Sequence, residues 1–141
     1  MKISRIYAEN YKTYRQLDLN LEVDENRPII LIGGGNGCGK TTLFDAIYHA
    51  LYGLVIKTTK DFDELFNAGV KLEPDFRGGD IVLQVDFSGM VLGREQQYNL
   101  RRTYRIIGDH VAESVQLKMG GNTFTYGSAQ SASQRAQNEE I

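Results

Sequence analysis

The chain has 141 residues, of which 41% are hydrophobic and 24% charged, and its formal net charge is −2. These proportions are typical of one globular domain, and the near-neutral charge excludes a global basic field that would indicate nucleic acid as a partner. The longest apolar run, residues 29–32, is too short to cross a bilayer, and the N-terminal residues lack the apolar segment of a signal peptide. The single cysteine, Cys38, cannot form an internal disulfide. We therefore expect a cytoplasmic protein without a membrane segment.

The first elements in chain order are three predicted strands. Residues 2–9 carry Ile3 and Ile6 among polar neighbours, and residues 16–23 alternate strictly between polar and apolar side chains. Only a short polar link separates these two runs, so we expect an antiparallel pair. Residues 29–32, with the sequence IILI, are apolar on both faces and predict a central strand that is covered on each side.

Two helices are predicted next. Residues 40–53 place apolar side chains at helical spacing, and Gly53 suits the C-terminal stop. A shorter helix is predicted in residues 61–69, with Asp61 as its N-cap and Gly69 at its end.

The second half of the chain changes from a helical period to a period of two. Apolar and polar side chains alternate in residues 81–87 and 98–106, and shorter alternating runs follow at residues 115–119 and 123–126. These runs predict an antiparallel sheet joined by short turns. The last stretch, residues 128–141, is polar and has no apolar stripe.

The sequence GGGNGCGKTT, residues 33–42, separates the predicted central strand from the first helix. It contains Gly34-x-x-x-x-Gly39-Lys40-Thr41, the Walker A pattern, in the strand–loop–helix context that this pattern requires. Glycines let backbone N–H groups wrap a phosphate chain that a β-carbon would block, and the helix N-terminus presents unpaired N–H groups to the same anion. Lys40 is expected to contact the β- and γ-phosphates, and the Thr41 hydroxyl to ligate Mg²⁺. The alternative is an accidental glycine-rich turn, which has a probability of about one in a hundred in a chain of this size.

Two residues of this loop have simple structural explanations. Asn36 belongs to the few residue types that tolerate left-handed backbone geometry. Cys38 is small enough to fit in the loop, and a redox switch is the alternative, because helix N-termini lower the pKa of a thiol.

The run from residue 33 to 53 resembles the N-terminal ATPase half of the SMC-like ATPases, a family that includes the SbcC-type repair proteins, RecF, RecN and DndD. Their shared pattern is Gly-x-Asn-Gly-x-Gly-Lys-Ser/Thr-Thr/Ser-Leu-x-Asp-Ala-Ile. The positions that match it are Gly35, Asn36, Gly37, Gly39, Lys40, Thr41, Thr42, Leu43, Asp45, Ala46 and Ile47. The sequence Asn10-Tyr11-Lys12-Thr13 is similar to the family's Asn-Phe-Arg/Lys-Ser/Thr element between two strands. The resemblance is dense to about residue 54, looser to about residue 107, and fades in the tail.

The resemblance implies an α/β fold of the ABC/SMC type, with residues 1–127 as the N-terminal lobe of an ATPase head. It implies a mixed sheet around the P-loop helix, an antiparallel β subdomain, and a tail, residues 128–141, that approaches a coiled coil. The implied cofactors are ATP and Mg²⁺, with Thr41 as the metal ligand. No catalytic residue is assigned. The implied nucleotide-binding residues are Lys12, Thr13, Gly35, Asn36, Gly37, Cys38, Gly39, Lys40, Thr41 and Thr42.

Two of these implications compete with ordinary structural roles. Lys12 would lie beside the phosphates, although a solvated lysine in a turn is the alternative. Residues 66–68 would lie near the base or ribose, although helix packing by Leu65 and Phe66 explains them equally well.

The motifs that would complete ATP hydrolysis have no match in the chain. The nearest approach to a Walker B stretch is IVLQVDF, residues 81–87, but Gln84 interrupts it and no glutamate follows Asp86. The family's Leu-Ser-Gly-Gly signature is absent, and neither His49 nor His110 replaces its switch histidine. We therefore expect the isolated chain to be nearly inactive. The resemblance implies as partners the C-terminal lobe of the same ATPase, a second head in an ATP-bound homodimer, DNA, and a nuclease subunit.

DNA contact is implied by the resemblance and not by the composition. The local candidates are Lys57 and Lys60 after the first helix, and Arg101 and Arg105 on one face of a predicted strand. A solvated strand face explains the two arginines more simply.

Several functions stay open from the sequence. The first is a DNA-repair or DNA-processing ATPase, and a DndD-type ATPase of DNA sulfur modification or phage defence is close to it. A self-contained P-loop kinase and a non-hydrolysing nucleotide-gated interaction module are the alternatives from other classes. The two strands before the loop and the strands after it argue against a kinase, and the absence of Asn-Lys-x-Asp favours ATP over GTP.

Overall fold

The computed structural model describes residues 1–24, 26–34 and 40–128, which form one six-stranded sheet and three helices. The strands are ordered β2-β1-β3-β4-β5-β6, and the expected α/β fold is confirmed. The elements are β1 (Lys2–Tyr11), β2 (Tyr14–Asn20), α1 (Lys40–Tyr52), α2 (Thr59–Leu65), α3 (Ala68–Lys71), β3 (Ile81–Val91), β4 (Arg94–Ile107), β5 (His110–Met119) and β6 (Asn122–Ser128).

The sheet is arranged differently from the expected mixed sheet with a separate antiparallel subdomain. Every strand pair in the described part of the chain is antiparallel, including the predicted β1–β2 hairpin. Because β1 pairs directly with β3, the N-terminal hairpin and the later strands belong to one sheet.

The prediction of a central strand at residues 29–32 is wrong. This stretch contains neither helix nor strand, and Ile29 and Leu31 are 76% and 91% exposed. The apolar pattern indicates burial on both faces, but a strand also needs hydrogen-bonded neighbours on its edges. The described residues supply no such neighbour to this stretch.

The core lies between α1 and one face of the sheet. The strands alternate, so every second side chain of β1 and β3 points toward α1. On α1, the buried side chains recur at helical spacing. The residues that meet in this core include Leu43, Ala46 and Ala50 of α1, Ile6 and Ala8 of β1, and Ile81, Leu83 and Val85 of β3.

The C-terminal end of α1 is held by side chains of β4. Arg102 donates hydrogen bonds to the carbonyl oxygens of Ala50 and Leu51, at 2.8 and 2.9 Å. The Tyr104 hydroxyl accepts from the backbone amide of Leu54 at 2.8 Å. The two bonds from Arg102 satisfy carbonyl groups that a helix end leaves without an intrahelical partner.

Gly53 ends α1 as predicted. Its φ is +89°, in the left-handed region, and its amide donates to the carbonyl of His49 at 2.8 Å. A β-carbon at this position would come within 3.2 Å of Nη1 of Arg102, so glycine also makes room for the side chain that holds the helix end.

The second helix begins earlier than predicted. Its N-cap is Thr58, whose hydroxyl accepts from the Asp61 amide at 3.1 Å, while the Asp61 carboxylate accepts from the Thr58 amide. Asp61 therefore completes a capping box from the third helical position instead of forming the N-cap itself. Gly69 lies inside α3, a separate short helix.

Replacing Arg102 by Met should lower the free energy of unfolding by about 2 kcal/mol, because two carbonyl oxygens at the end of α1 lose a charged donor. The matched control is Arg105→Met on the same strand, which removes an ion pair between Arg105 and Asp80 whose arginine side chain is 61% exposed. Exposed pairs contribute about 0–1 kcal/mol. Urea unfolding followed by circular dichroism measures the free energy of unfolding of both variants. Equal decreases in the two variants would show that β4 does not hold the end of α1.

Candidate nucleotide site at the start of α1

The N-terminal end of α1 carries Lys40 and Thr41 of the Walker A sequence. Lys40, Thr41 and Thr42 form its first turn, which contains no acidic residue. Thr41 is exposed, and Lys40 and Thr42 are half-buried. Free N–H groups, the positive end of the helix dipole and the Lys40 ammonium together favour an anion at this end. The other predicted loop residues, Gly35, Asn36, Gly37, Cys38 and Gly39, lie outside the described residues.

The turn between β1 and β2 lies beside α1 and carries Lys12 and Thr13. Nζ of Lys12 is 3.1 Å from Oδ2 of Asp45 on α1, and the two side chains are 30% and 40% exposed. Asp45 is about 7.5 Å along the helix axis from Lys40, because each residue advances the helix by about 1.5 Å. The structure therefore places Lys12 on the flank of the Walker A helix. Thr13 is exposed in the same turn, and contact of either residue with phosphates stays a prediction.

The backbone of this turn is in an uncommon conformation. Asn10 and Lys12 have φ values of +56° and +50°, in the left-handed region that side chains other than those of Gly, Asn and Asp rarely adopt. The Lys12 amide donates to the carbonyl of Leu65 at 2.7 Å, and the Asn67 side chain donates to the carbonyl of Lys12 at 3.0 Å. The segment that links α2 to α3 thus holds the turn in place.

Tyr11 and His49 form a second link between this turn and α1. Tyr11 is fully buried, and its hydroxyl lies 2.9 Å from Nδ1 of His49. Burial, and after it the charge of Asp45, raises the pKa of Tyr11 far above its ordinary value, so the hydroxyl keeps its proton in this hydrogen bond. Burial, and after it the charge of Lys12, lowers the pKa of His49, although Asp45 opposes the shift. His49 is therefore neutral at pH 7, and its hydrogen bond with Tyr11 joins α1 to the end of β1.

Residues 66–68 were expected near a nucleotide base, but the first of them, Phe66, packs into the protein core. Phe66 is 4% exposed, and its ring centroid lies 5.7 Å from that of Phe62 and 5.6 Å from that of Phe76. Helix packing therefore accounts for Phe66. Asn67, which follows it, is 7% exposed and contacts the Lys12 turn, a role that no local pattern in the sequence indicated.

The nearest approach to a Walker B sequence lies on the wrong side of the sheet. Asp86 belongs to β3, but its carboxylate faces away from α1 and accepts hydrogen bonds from Asn99 and Gln84. Its neighbour Val85 takes the position toward the helix. Asp86 therefore cannot act on an anion at the start of α1, as the broken sequence pattern already indicated.

The two arginines considered for DNA contact have partners within the chain. Arg105 donates to both carboxylate oxygens of Asp80, at 2.9 and 2.7 Å. Arg101 donates to the side-chain oxygen of Gln84 at 2.9 Å, and its guanidinium lies 5.9 Å from the ring centroid of Tyr7. These contacts agree with a polar strand face and leave DNA contact as a prediction, including for the exposed Lys57 and Lys60.

The start of α1 therefore combines Walker A residues with a helix that packs on a sheet and a second basic residue at the helix flank. The chain belongs to the family described as AAA domain (AAA_23), whose model matches residues 5–139. This match and the relatives described next confirm the resemblance to the N-terminal ATPase lobe of SMC-like ATPases.

The curated relatives that are similar to the chain include two from different bacteria. The SbcC component of the nuclease SbcCD of Staphylococcus epidermidis is 41% identical over 64 residues, which are 45% of this chain and 6% of the relative. DNA replication and repair protein RecF of Flavobacterium johnsoniae is 31% identical over 88 residues, 58% of this chain and 23% of the relative. The chain thus spans less than a quarter of the length of either relative.

The solved structure comes from work on the structural biochemistry of ATP-driven dimerization and DNA-stimulated activation of SMC ATPases. It aligns with a TM-score of 0.54 at 20% identity and covers 88% of this chain and 72% of that one, which shows a shared fold. Within the described ranges, no helix combines the length and the apolar character needed to cross a bilayer.

Lowering the pH should destabilise the fold through His49. Its pKa is lowered in the folded chain, so the unfolded chain takes up a proton first as the pH falls through the ordinary value of about 6.5. The free energy of unfolding contributed by this group is therefore fully present above that value, decreases below it, and levels off below the folded pKa. Urea unfolding between pH 8 and pH 5 measures the slope. A His49→Gln variant should have a flatter profile, and a wild-type slope in that variant would contradict the prediction.

The backbone of Lys12 allows a second test of the turn. Lys12→Gly and Lys12→Ala both remove the ammonium, but only glycine adopts a φ of +50° without a steric penalty. The glycine variant should therefore be more stable than the alanine variant by about 1 kcal/mol. Equal stabilities by urea unfolding would mean that the turn relaxes when the lysine is removed.

Proposed function

We propose that this chain is the ATP-binding lobe of an SMC-like DNA-repair or DNA-processing ATPase. In this function Lys40 contacts the β- and γ-phosphates, Thr41 ligates Mg²⁺, and Thr42 with loop residues 35–39 completes the phosphate cradle. Lys12 and Thr13 contribute from the β1–β2 turn. The observation that carries the proposal is the ion pair at 3.1 Å by which Lys12, from a distant part of the chain, lies against the Walker A helix.

The described residues at the start of α1 fit ATP with Mg²⁺. The first helical turn has no carboxylate that would repel phosphates, Lys40 supplies a cation there, and Lys12 lies farther along the helix in its ion pair with Asp45. The exposed Thr41 carries a hydroxyl of the kind that ligates Mg²⁺ in P-loop proteins. When bound, Mg²⁺ neutralises part of the charge on the phosphates, and this chain's own residues orient and hold the nucleotide.

We further propose that a C-terminal lobe of the same ATPase covers the outer face of α1 and supplies the Walker B and signature motifs. Phe44, Tyr48 and Tyr52, each four residues from the next, are 57%, 59% and 70% exposed on that face. The apolar residues 29–32, which precede the Walker A loop, are also exposed. Exposed apolar side chains grouped on one helix face are typical of a contact surface in a globular protein.

The remaining parts of the proposal follow from the relatives. ATP binding drives head-to-head dimerisation and DNA engagement, with a nuclease subunit as a partner in the cytoplasm. SbcC belongs to a nuclease by its name, and RecF is a replication and repair protein by its name. These parts rest on proteins that extend well beyond the matched segment.

A Lys40→Ala variant should bind nucleotide at least about tenfold more weakly, since it loses a charged contact with the phosphates. Titration of a fluorescent ATP analogue with Mg²⁺, followed by anisotropy, measures the dissociation constant. Lys118→Ala is the matched control, because it removes an exposed lysine from β5 without affecting α1. Identical titrations for the wild type and Lys40→Ala would contradict the proposed function.

The same preparations test the need for a second lobe. The 141-residue chain should hydrolyse ATP negligibly, because the described residues place no acidic ligand or base at the start of α1. Steady turnover that Lys40→Ala abolishes would show that the chain needs no further lobe.

A further inference from the structure

Asn67 connects the Lys12 turn to the segment between α2 and α3. Its backbone amide donates to the carbonyl of Asn10 at 3.0 Å, and its side-chain Nδ2 donates to the carbonyl of Lys12 at 3.0 Å. Its Oδ1 accepts from the amide of Val70 at 3.0 Å and so caps α3. With 7% exposure, Asn67 makes these bonds with little competition from water.

These bonds act where the backbone is least favourable. Lys12 has a φ of +50°, and such a conformation persists in a non-glycine residue only where its surroundings hold it. The Lys12 amide is bonded to Leu65, and the Lys12 carbonyl is bonded to Asn67. These two groups lie on either side of the strained dihedral angles. Loss of the Asn67 donor would free the carbonyl and let the turn relax.

The conformation of the turn decides where the Lys12 side chain lies. In the present geometry its ammonium pairs with Asp45 at 3.1 Å and lies 5.4 Å from the ring centroid of Tyr11. Both partners belong to the junction of the turn with α1. A turn that relaxes to ordinary backbone angles would direct the side chain elsewhere, since the Cα–Cβ bond is reoriented with the backbone.

We propose that Asn67 is a positioning residue of the nucleotide site, which acts through Lys12 and does not itself touch the phosphates. The inference rests on the proposed function, because the position of Lys12 matters to a nucleotide only if phosphates bind at the start of α1. It explains why a buried amide that caps a four-residue helix also bonds a carbonyl 55 residues earlier in the chain.

The test is a double-mutant cycle with Asn67→Ser and Lys12→Ala. Serine keeps an oxygen that caps α3, so the variant mainly loses the donor to Lys12. Binding of a fluorescent ATP analogue with Mg²⁺ should weaken about tenfold in Lys12→Ala and at least about threefold in Asn67→Ser. The double variant should bind no more weakly than Lys12→Ala alone, because the placement of an absent ammonium has no effect.

Two controls separate the possible failures. Ser88→Ala changes another buried polar residue, which is 8% exposed and pairs with Lys2 far from the Lys12 turn, and it should leave the affinity unchanged. Additive losses in the double variant, or an unchanged affinity in Asn67→Ser, would overturn the inference while Lys40→Ala still weakened binding. If the wild type and Lys40→Ala bound alike, the proposed function would fail first and this inference with it.

Discussion

The packing of α1 against one face of the sheet is the interaction on which the rest of this structure depends. Ala46 and Ala50 are fully buried, and such small side chains allow the helix to approach β1 and β3 closely. Arg102 bonds the carbonyl groups at the end of the helix, and Asp45 pairs with Lys12 nearer its start. A helix that is held along its length keeps its N-terminal N–H groups in one direction, as a preorganised anion site requires.

The two faces of the sheet differ: one buries the apolar core, and the other carries polar groups directed to solvent. The face toward α1 is apolar and buries the core. The opposite face carries paired charges and amides, such as Arg5 with Asp18 and Arg101 with Gln84. This division follows from the alternation of side chains along a strand, and it removes Asp86 from any part in nucleotide chemistry.

The apolar surface of the lobe is unevenly distributed. The sheet side of α1 is buried, whereas Tyr48 and Tyr52 on its other side pack at 4.9 Å between ring centroids and are largely exposed. Residues 29–32, which precede α1 in the sequence, are also exposed. The second lobe that we propose would cover both features, and the relatives are several times longer than the matched segment.

The sequence by itself determined the elements whose signals are local. The period of the apolar residues predicts α1 and the strands, Gly53 marks the helix end, and the Walker A pattern predicts a nucleotide site at the start of α1. Only the tertiary structure decided which distant residues hold α1 and the Lys12 turn, because Asn67, His49 and Arg102 bond groups 38 to 55 positions away. No periodicity encodes a contact over such a separation. The same reason explains the wrong strand at residues 29–32, since a strand depends on neighbours that its own sequence does not contain.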